Sequence, residues 1–366
     1  MKVARQAPKR FLRTKIVRKI QHIDPHQWKK IFPSVAENYY FLKTLDESSF
    51  EQFDFYYVLV YDKKELVGAA PCFVMNYAIK KVFHNIFSLK ALVCGIPMGQ
   101  GHLGNTPSLD VVEAIEMRME RLACKIKAPL LAFKDFDNSY DEAFKILLAK
   151  DYLKIDSLPM TRQELDFKNF EEFLNKLSSA TRYDFRRKLK KVTDVKIEFS
   201  APKQLDDKTL DEAYELYLQA VEIHHRNFET VPKQFFKLIA QNMPQETQFF
   251  LWKLNGRLVA FSFCLVLNDL LLDYYLGFDY TPAHEYHLYF VKFKDMLEWC
   301  LKHKIKTYEF GATGYEPKRR LKFEMVPVYL YVKARPKILR PVIKLLSKVL
   351  KIENFDPILK QWKKSH

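Results

Sequence analysis

The sequence predicts an α+β fold with mixed α/β sheets, built as two tandem copies of one unit, each a mainly antiparallel central sheet flanked by helices. Three observations predict it. Residues 55–74 (FYYVLVYDKKELVGAAPCFV) and 248–266 (QFFLWKLNGRLVAFSFCLV) share a strand, polar turn, strand layout, with Leu66, Val67 and Cys72 matching Leu258, Val259 and Cys264 at one constant offset. Each hairpin is later followed by a long helix and a strand, 109–126 with PLLAFKDF and 283–303 with KTYEFGATG. A repeat of this length, present twice, points to a pair of domains, because a solenoid needs many short units.

The elements follow in order. Residues 15–23 alternate as a short strand, and Pro25 opens a helical segment. The first hairpin comes next. Between 87 and 106, ALVCGIPMGQGHLG holds Gly95, Gly99, Gly101 and Gly104, nearly half of the chain's 9 glycines, and reads as an irregular loop. No Lys-Ser/Thr follows these glycines and their spacing is not the dinucleotide fingerprint, so a structural turn is the first reading and ligand contact the second. A helix (109–126), a strand (129–133) and a helix (140–150) close the first half, with a boundary between 157 and 162. The second half has a basic helix in LSSATRYDFRRKLKKV, capped by Ser178 or Ser179, with Phe185, Leu189 and Val192 inward and Arg182, Arg186 and Lys190 as a ridge. Two helices (210–228 and 232–242) lead to a three-strand meander that turns at Asn255-Gly256 and Asn268-Asp269. A helix to His303, the strand 306–310, the turn GATG, a short basic helix EPKRRLKF and a last strand PVYLYVKA complete the fold. These elements divide the chain into 1–158, 159–337 and a basic amphipathic tail, 338–366.

With 366 residues, 48% of them hydrophobic, the chain can bury two ordinary cores and has no compositional mark of disorder. The longest apolar stretch, 258–267, is too short to span a bilayer, and the N-terminus MKVARQAPKRFLRTKIVRKI has no continuous apolar region of the kind a signal peptide needs. The expectation is a cytoplasmic protein. Five cysteines are an odd number without CxxC spacing, and all sit in apolar segments. They read as buried thiols, and no metal site is expected. His224 and His225 are adjacent on a helix and face different directions, which does not suit a metal either. The formal charge of +16 favours an anionic partner: nucleic acid, a phosphorylated cofactor or an anionic membrane.

The order meander, helix, strand, helix, strand fits the acyl-coenzyme A N-acyltransferase (GNAT) fold better than a Rossmann fold or a barrel. YEFGATGYEPKRRLKFEMVP resembles the glycine-rich signature near the C-terminus of FemAB-like, peptidoglycan-biosynthesis-type members of the GNAT superfamily, and LSSATRYDFRRKLKKV resembles their arginine-rich helix. The opening strand with Ile23-Asp24 and Trp28, the hairpin ending LVGAAPCFV, and HHRNFETVPKQFF match in the same order, so the likeness covers roughly residues 15–337. Two departures stand out. Thr313 and Tyr315-Glu316-Pro317 replace the more usual Gln and Glu-His, and the clustered glycines of the GNAT pyrophosphate loop are missing between Phe278 and His287.

The resemblance implies attack of an amine on a thioester or ester carbonyl, with 159–337 as the catalytic unit and 1–158 as a degenerate GNAT-like unit shaping the acceptor side. Such transfer needs a base for the ammonium proton, donors for the oxyanion and positive charge for the donor's phosphates. Glu309 is the first candidate base and Asp273 the second; each sits in or beside a central strand, where an unpaired carboxylate is costly. Their alternative is ion pairing with a nearby Arg or Lys. Tyr315 is placed to protonate a leaving thiolate. Arg182, Arg186, Arg187, His284, His287, Lys318 and Arg319 are candidate donor contacts, and His225, Arg226, Tyr275 and Tyr308 candidate substrate contacts. The leading expectation is acyl transfer from acyl-coenzyme A, without a metal, to an amine of the cell envelope or a lipid, such as a sphingoid base or aminolipid. One alternative is an aminoacyl-tRNA-dependent transferase of peptidoglycan precursors, which departs from some relatives in having no long inserted coiled-coil arm. The other is a non-catalytic GNAT pair binding nucleic acid or membrane. In the tail, Val342, Ile343, Leu345, Leu346, Val349 and Leu350 form an apolar stripe beside Lys344, Lys348 and Lys351, which suits either an anionic membrane surface, at the inner face of the membrane, or the protein's own core.

Overall fold

A computed structural model of the chain describes residues 11–33, 36–78, 88–105, 107–223, 228–349 and 351–365. The first half runs β1 (Leu12–Val17), α1 (Pro25–Ile31), α2 (Tyr39–Glu47), β2 (Asp54–Asp62), β3 (Glu65–Ala78), β4 (Ser88–Cys94), α3 (Leu109–Lys125), β5 (Leu130–Phe136), α4 (Asp141–Ala149) and β6 (Leu153–Asp156). There follow β7 (Met160–Glu164), α5 (Phe170–Lys176), α6 (Ser179–Lys190), β8 (Ile197–Ser200), α7 (Asp207–Ile223), α8 (Lys233–Asn242), β9 (Thr247–Leu254), β10 (Arg257–Leu267) and β11 (Leu270–Phe278). The chain ends with α9 (Tyr280–Glu285), α10 (Leu288–Lys302), β12 (Thr307–Glu309), α11 (Tyr315–Arg320), β13 (Glu324–Val326), β14 (Tyr329–Ala334), α12 (Arg340–Val349) and α13 (Pro357–Ser365).

The strands form two seven-stranded sheets of the same design, ordered β1-β2-β3-β4-β5-β14-β6 and β13-β7-β12-β11-β10-β9-β8. In each, four antiparallel strands lead to one parallel pair, β4 with β5 and β11 with β12. The expected α+β architecture of tandem GNAT-like units is what the chain adopts. The remaining strands cross over: β7, which follows β6 in the chain, pairs with β12, whereas β14, which follows β13, is inserted between β5 and β6. The stretch 159–337 therefore gives its last strand to the other sheet. One apolar core also spans both halves, with Phe41 and Phe50 of the first against Phe235 of the second at ring distances of 6.0 and 6.1 Å.

Local chemistry explains the helix starts. Asp24 accepts from the His26 N–H with Pro25 in the first turn of α1, and Ser178 accepts from the Thr181 N–H at α6. The expected single helix over 283–303 is instead two, broken where His287 takes a left-handed backbone (φ 49°). Part of the glycine stretch is strand β4, the segment around 157–162 begins β7, and β8 was not foreseen; each is a short piece whose pairing, not its own pattern, makes it a strand. Four cysteines are buried as expected, but Cys124 is exposed on α3. The tail is not separate from the body. Ile343 enters the common core, and Ile358 and Leu359 of α13 pack with Tyr315.

Candidate active site

The second sheet splits between its two parallel strands. β11 and β12 pair over only three positions, ending at Leu272 opposite Glu309. Beyond that point β11 stays with β10 as far as Phe278, while Phe310 and Gly311 exchange backbone hydrogen bonds with Thr161 of β7. The register of β10 on β11 jumps from Phe263 opposite Tyr275 to Cys264 opposite Asp273, so Tyr274 is an extra residue without an opposite number, just past the fork. The bulge turns both Tyr274 and Tyr275 toward the core shared by the two halves.

One wall of the wedge is the start of α10. Its N-cap, His287, holds a buried Nε2 with no hydrogen-bond partner, and burial together with the charges of Lys191, Lys188 and Arg187 pushes its pKa down. Those bases come from the last turn of α6, which packs onto α10 through Phe185 against Phe290 (5.0 Å) and the Lys188 ammonium over the Phe290 ring (3.9 Å). The N-terminus of α10, a histidine whose pKa is lowered, and the charges of Lys191, Lys188 and Arg187, the last two shared with Asp184, thus meet at one corner, a surrounding that favours an anion. At the second residue of α10, Tyr289 lies beside Phe310 with ring centroids 6.4 Å apart. Its hydroxyl is buried, without a partner, and its pKa is raised by burial and by the charge of Asp273.

The opposite wall comes from the first half. Gly99 lies against Tyr274, where an added Cβ would stand 3.4 Å from the ring, and its φ of 77° favours glycine. Gly101 is tighter: a Cβ there would meet the Lys134 carbonyl at 2.2 Å. Lys134 donates to the Gly99 carbonyl (3.2 Å) and pairs with Asp135, which also accepts from Ser157. Glu37 is the singular member of this group. It is fully buried, its carboxylate oxygens make no hydrogen bond of ordinary geometry, and burial raises its pKa, partly offset by the charges of His102 and Lys134. Tyr274 feels the charges of both Glu37 and Glu309, and its phenol is pushed well up, chiefly by burial.

The structure places the expected catalytic residues differently. Asp273 is sealed in the core, paired with Lys292 at 2.6 Å with both side chains at most 1% exposed, and it accepts from the Tyr308 hydroxyl at 2.8 Å. Asp273 and Tyr308 are both buried, and their polar atoms satisfy one another. Glu309 is 6% exposed and tied to Arg162 by contacts of 2.8 and 3.2 Å, the ion-pairing alternative. Tyr315 is buried, donates to the Pro159 carbonyl (3.1 Å) and packs against the tail, so its hydroxyl is spent on the fold. Lys318 is also buried, donating to the Phe310 and Gly311 carbonyls that shape the GATG turn.

Of the expected donor contacts, His287 and Arg187 stand at the anion corner. Arg187 is shared with Asp184, whose pKa settles at about 2 because hydrogen bonds from Lys188 and Arg187 and their charges outweigh its partial burial. Arg186 is paired with Glu171, Arg182 reaches only the Asn175 carbonyl at 3.5 Å, and His284 lies on α9 near Tyr280. Arg319 pairs with Glu316 and lines an open groove of about 570 Å³ with Phe323, Met325, Ile358 and Trp362. Tyr275 is turned inward, stacked near Phe263, with its hydroxyl buried and unpartnered. His225 and Arg226 lie outside the described residues. Among the described residues no three His, Cys, Asp or Glu side chains gather as a metal would require, and no helix is long and apolar enough to cross a membrane.

Glu37, His102, Lys134 and Tyr289 were not anticipated. Only the glycine stretch, which brings Gly99 and His102 to this place, gave a signal for any of them.

Comparison with known proteins agrees with this fold. A model of the FemAB-like family, described as peptidoglycan biosynthesis/recognition, matches residues 137–346. No curated protein matches the sequence. Among solved structures, FemX superposes with a TM-score of 0.57 at 13% identity, covering 91% of this chain and 100% of FemX. L-PGS from Bacillus licheniformis gives 0.55 at 11% identity, covering 89% and 96%. A tandem GNAT protein from the clavulanic acid biosynthesis pathway, solved without AcCoA, gives 0.54 at 13% identity, covering 89% and 99%. At these identities the structural likeness speaks for the fold.

Proposed function

The chain belongs to the FemAB-like family, and on that ground we propose that it is a transferase moving an acyl or aminoacyl group from a phosphate-bearing donor to an amine of a peptidoglycan precursor. The observation that carries the reading is the fork at Leu272 and Glu309, opened beside the cationic α6–α10 corner. The donor's phosphates lie at that corner and its carbonyl enters the wedge. We assign the oxyanion to the backbone of the bulge at Tyr274, the residue of β11 left without a partner on β10. The acceptor amine approaches from the first half. As its nitrogen bonds to the carbonyl carbon, the proton it sheds passes to Glu37, which burial makes a stronger base than an ordinary carboxylate. When the bond to the leaving sulfur or oxygen breaks, Tyr289 supplies that atom's proton. Coenzyme A thioesters and aminoacyl-tRNA both meet these requirements.

The test is a transfer assay. Purified protein is incubated with a UDP-linked muramyl-peptide precursor and, separately, acyl-coenzyme A or aminoacyl-tRNA, and the precursor is read by mass spectrometry. A mass increment on the amine with either donor supports the reading. An unmodified precursor with both donors counts against it.

A further inference from the structure

The end of the chain carries an apolar face that the protein itself leaves uncovered. α12 lies along β14 and buries Ile343, with Leu339 just before it half-buried against the same core. Its other apolar edge turns outward. Ile338 is 82% exposed, Leu345 63% and Val342 43%; Val342 and Leu345, three apart, share one side of α12, and Ile338 stands four residues before Val342 in the 3-10 turn that leads into it. Phe355, in the next turn of chain, is 63% exposed as well. An isolated exposed apolar residue needs no explanation, but a set of them within one short segment does.

The surrounding charge identifies what covers it. From Arg335 to Ile352 the chain contains no Asp or Glu, and it carries Lys337, Lys344, Lys348 and Lys351 besides two arginines. The arginines are used internally, Arg335 on Glu120 and Arg340 on Asp151. Lys337, Lys344 and Lys348 are exposed, and among the described residues none of the three has an acidic partner. A second copy of this chain would bring the same cations against them, in a protein already at +16. An anionic lipid surface offers both missing complements: an apolar layer for Ile338, Val342 and Leu345, and headgroup charge for the lysines beside them.

We propose that the segment 337–349 is a membrane-docking element, seating α12 in the headgroup region of an anionic bilayer with its inner face still held by β14. This goes beyond the transfer reaction and does not depend on it. The docking is weak and reversible, since the apolar stripe is short, and salt weakens it because the lysines act through charge.

Co-sedimentation with vesicles tests it without any donor or acceptor. The full chain is mixed with vesicles of phosphatidylglycerol and phosphatidylcholine, or of phosphatidylcholine alone. The expected result is binding to the anionic vesicles only, reduced about tenfold or more by Ile338→Asp with Leu345→Asp, and similarly by Lys344→Glu with Lys348→Glu or by raised salt. The lysine variant changes exposed side chains only, so it remains informative if the apolar variant fails to fold. Absence of binding to anionic vesicles, or equal binding by the wild type and the lysine variant, overturns the proposal. So does a concentration-dependent dimer that Ile338→Asp with Leu345→Asp dissociates, which would assign the stripe to a second copy.

Discussion

Leu272 and Glu309 are the last residues that β11 and β12 share as neighbours, and the sheet opens immediately beyond them. The Tyr274 bulge follows the fork directly, Phe310 beyond it lies against Tyr289 of α10, and Tyr274 feels the charge of Glu37 from the first half. Asp273 is one residue past the fork yet is closed in by Lys292, so position along the strand does not by itself make a carboxylate reactive.

Glu37 is expected to cost stability and serve turnover. Its folded pKa lies above the unfolded value near 4.5, so its contribution to stability is fully present below that value and is lost as pH rises through the folded pKa. Glu37→Gln should therefore melt higher than the wild type near neutral pH and no higher at acidic pH. Its turnover should drop about a hundredfold or more. Glu309→Gln, which alters a carboxylate already held by Arg162, should lower turnover much less. Paired melting curves and initial rates check both.

The Asp273–Lys292 pair is structural. Lys292→Met leaves Asp273 buried without its cation and should lower unfolding free energy by about 3–5 kcal/mol, read from the urea midpoint. Replacing both residues together, Asp273→Asn with Lys292→Met, should recover much of that loss. A double variant no more stable than Lys292→Met would mean the pair is not the source of the penalty.

His287 makes donor binding depend on pH. In the free protein, burial and the neighbouring Lys191, Lys188 and Arg187 keep its pKa below 6.5. A bound phosphate raises that pKa, so binding takes up a proton and tightens as pH falls from about 8 to about 6. Calorimetry in buffers of different ionisation enthalpy should register the uptake. His287→Gln should abolish it while leaving the fold intact.

The crossing of β14 predicts interdependent halves. Residues 1–158 lack β14, which leaves β6 with no strand to pair against, and residues 159–366 keep the second sheet but strand β14 away from β5 and β6. The fragment 1–158 alone should not melt cooperatively. Mixing or co-expressing the two fragments should restore one cooperative transition.

The twofold design was legible because hairpins and amphipathic helices write their period locally, as in the matched 55–74 and 248–266 segments. The Ser178 cap and the basic face of α6 were equally local. What was hidden depends on pairing over long distances. Nothing in PVYLYVKA says that β14 joins the other half's sheet, and nothing around Glu309 says that β7 will bring Arg162 opposite it. Glu37 was invisible for the same reason: it stands in a short turn, and only the packing of His102, Lys134 and Tyr274 around it makes it unusual. Tyr315 and Lys318 of the glycine-rich motif are tied into the turn itself, which the motif's pattern did not announce. Tyr315 holds the Pro159 carbonyl, and Lys318 holds those of Phe310 and Gly311.

The most direct test of the wedge as a donor site is native mass spectrometry with thermal shift against a panel of acyl-coenzyme A thioesters and tRNA, comparing the wild type with Lys188→Glu/Lys191→Glu. The account predicts that one donor class binds and stabilises the wild type, and that the double charge reversal weakens this binding by at least about tenfold at low salt. A panel in which no donor binds, or in which a donor binds both proteins equally well, would contradict it.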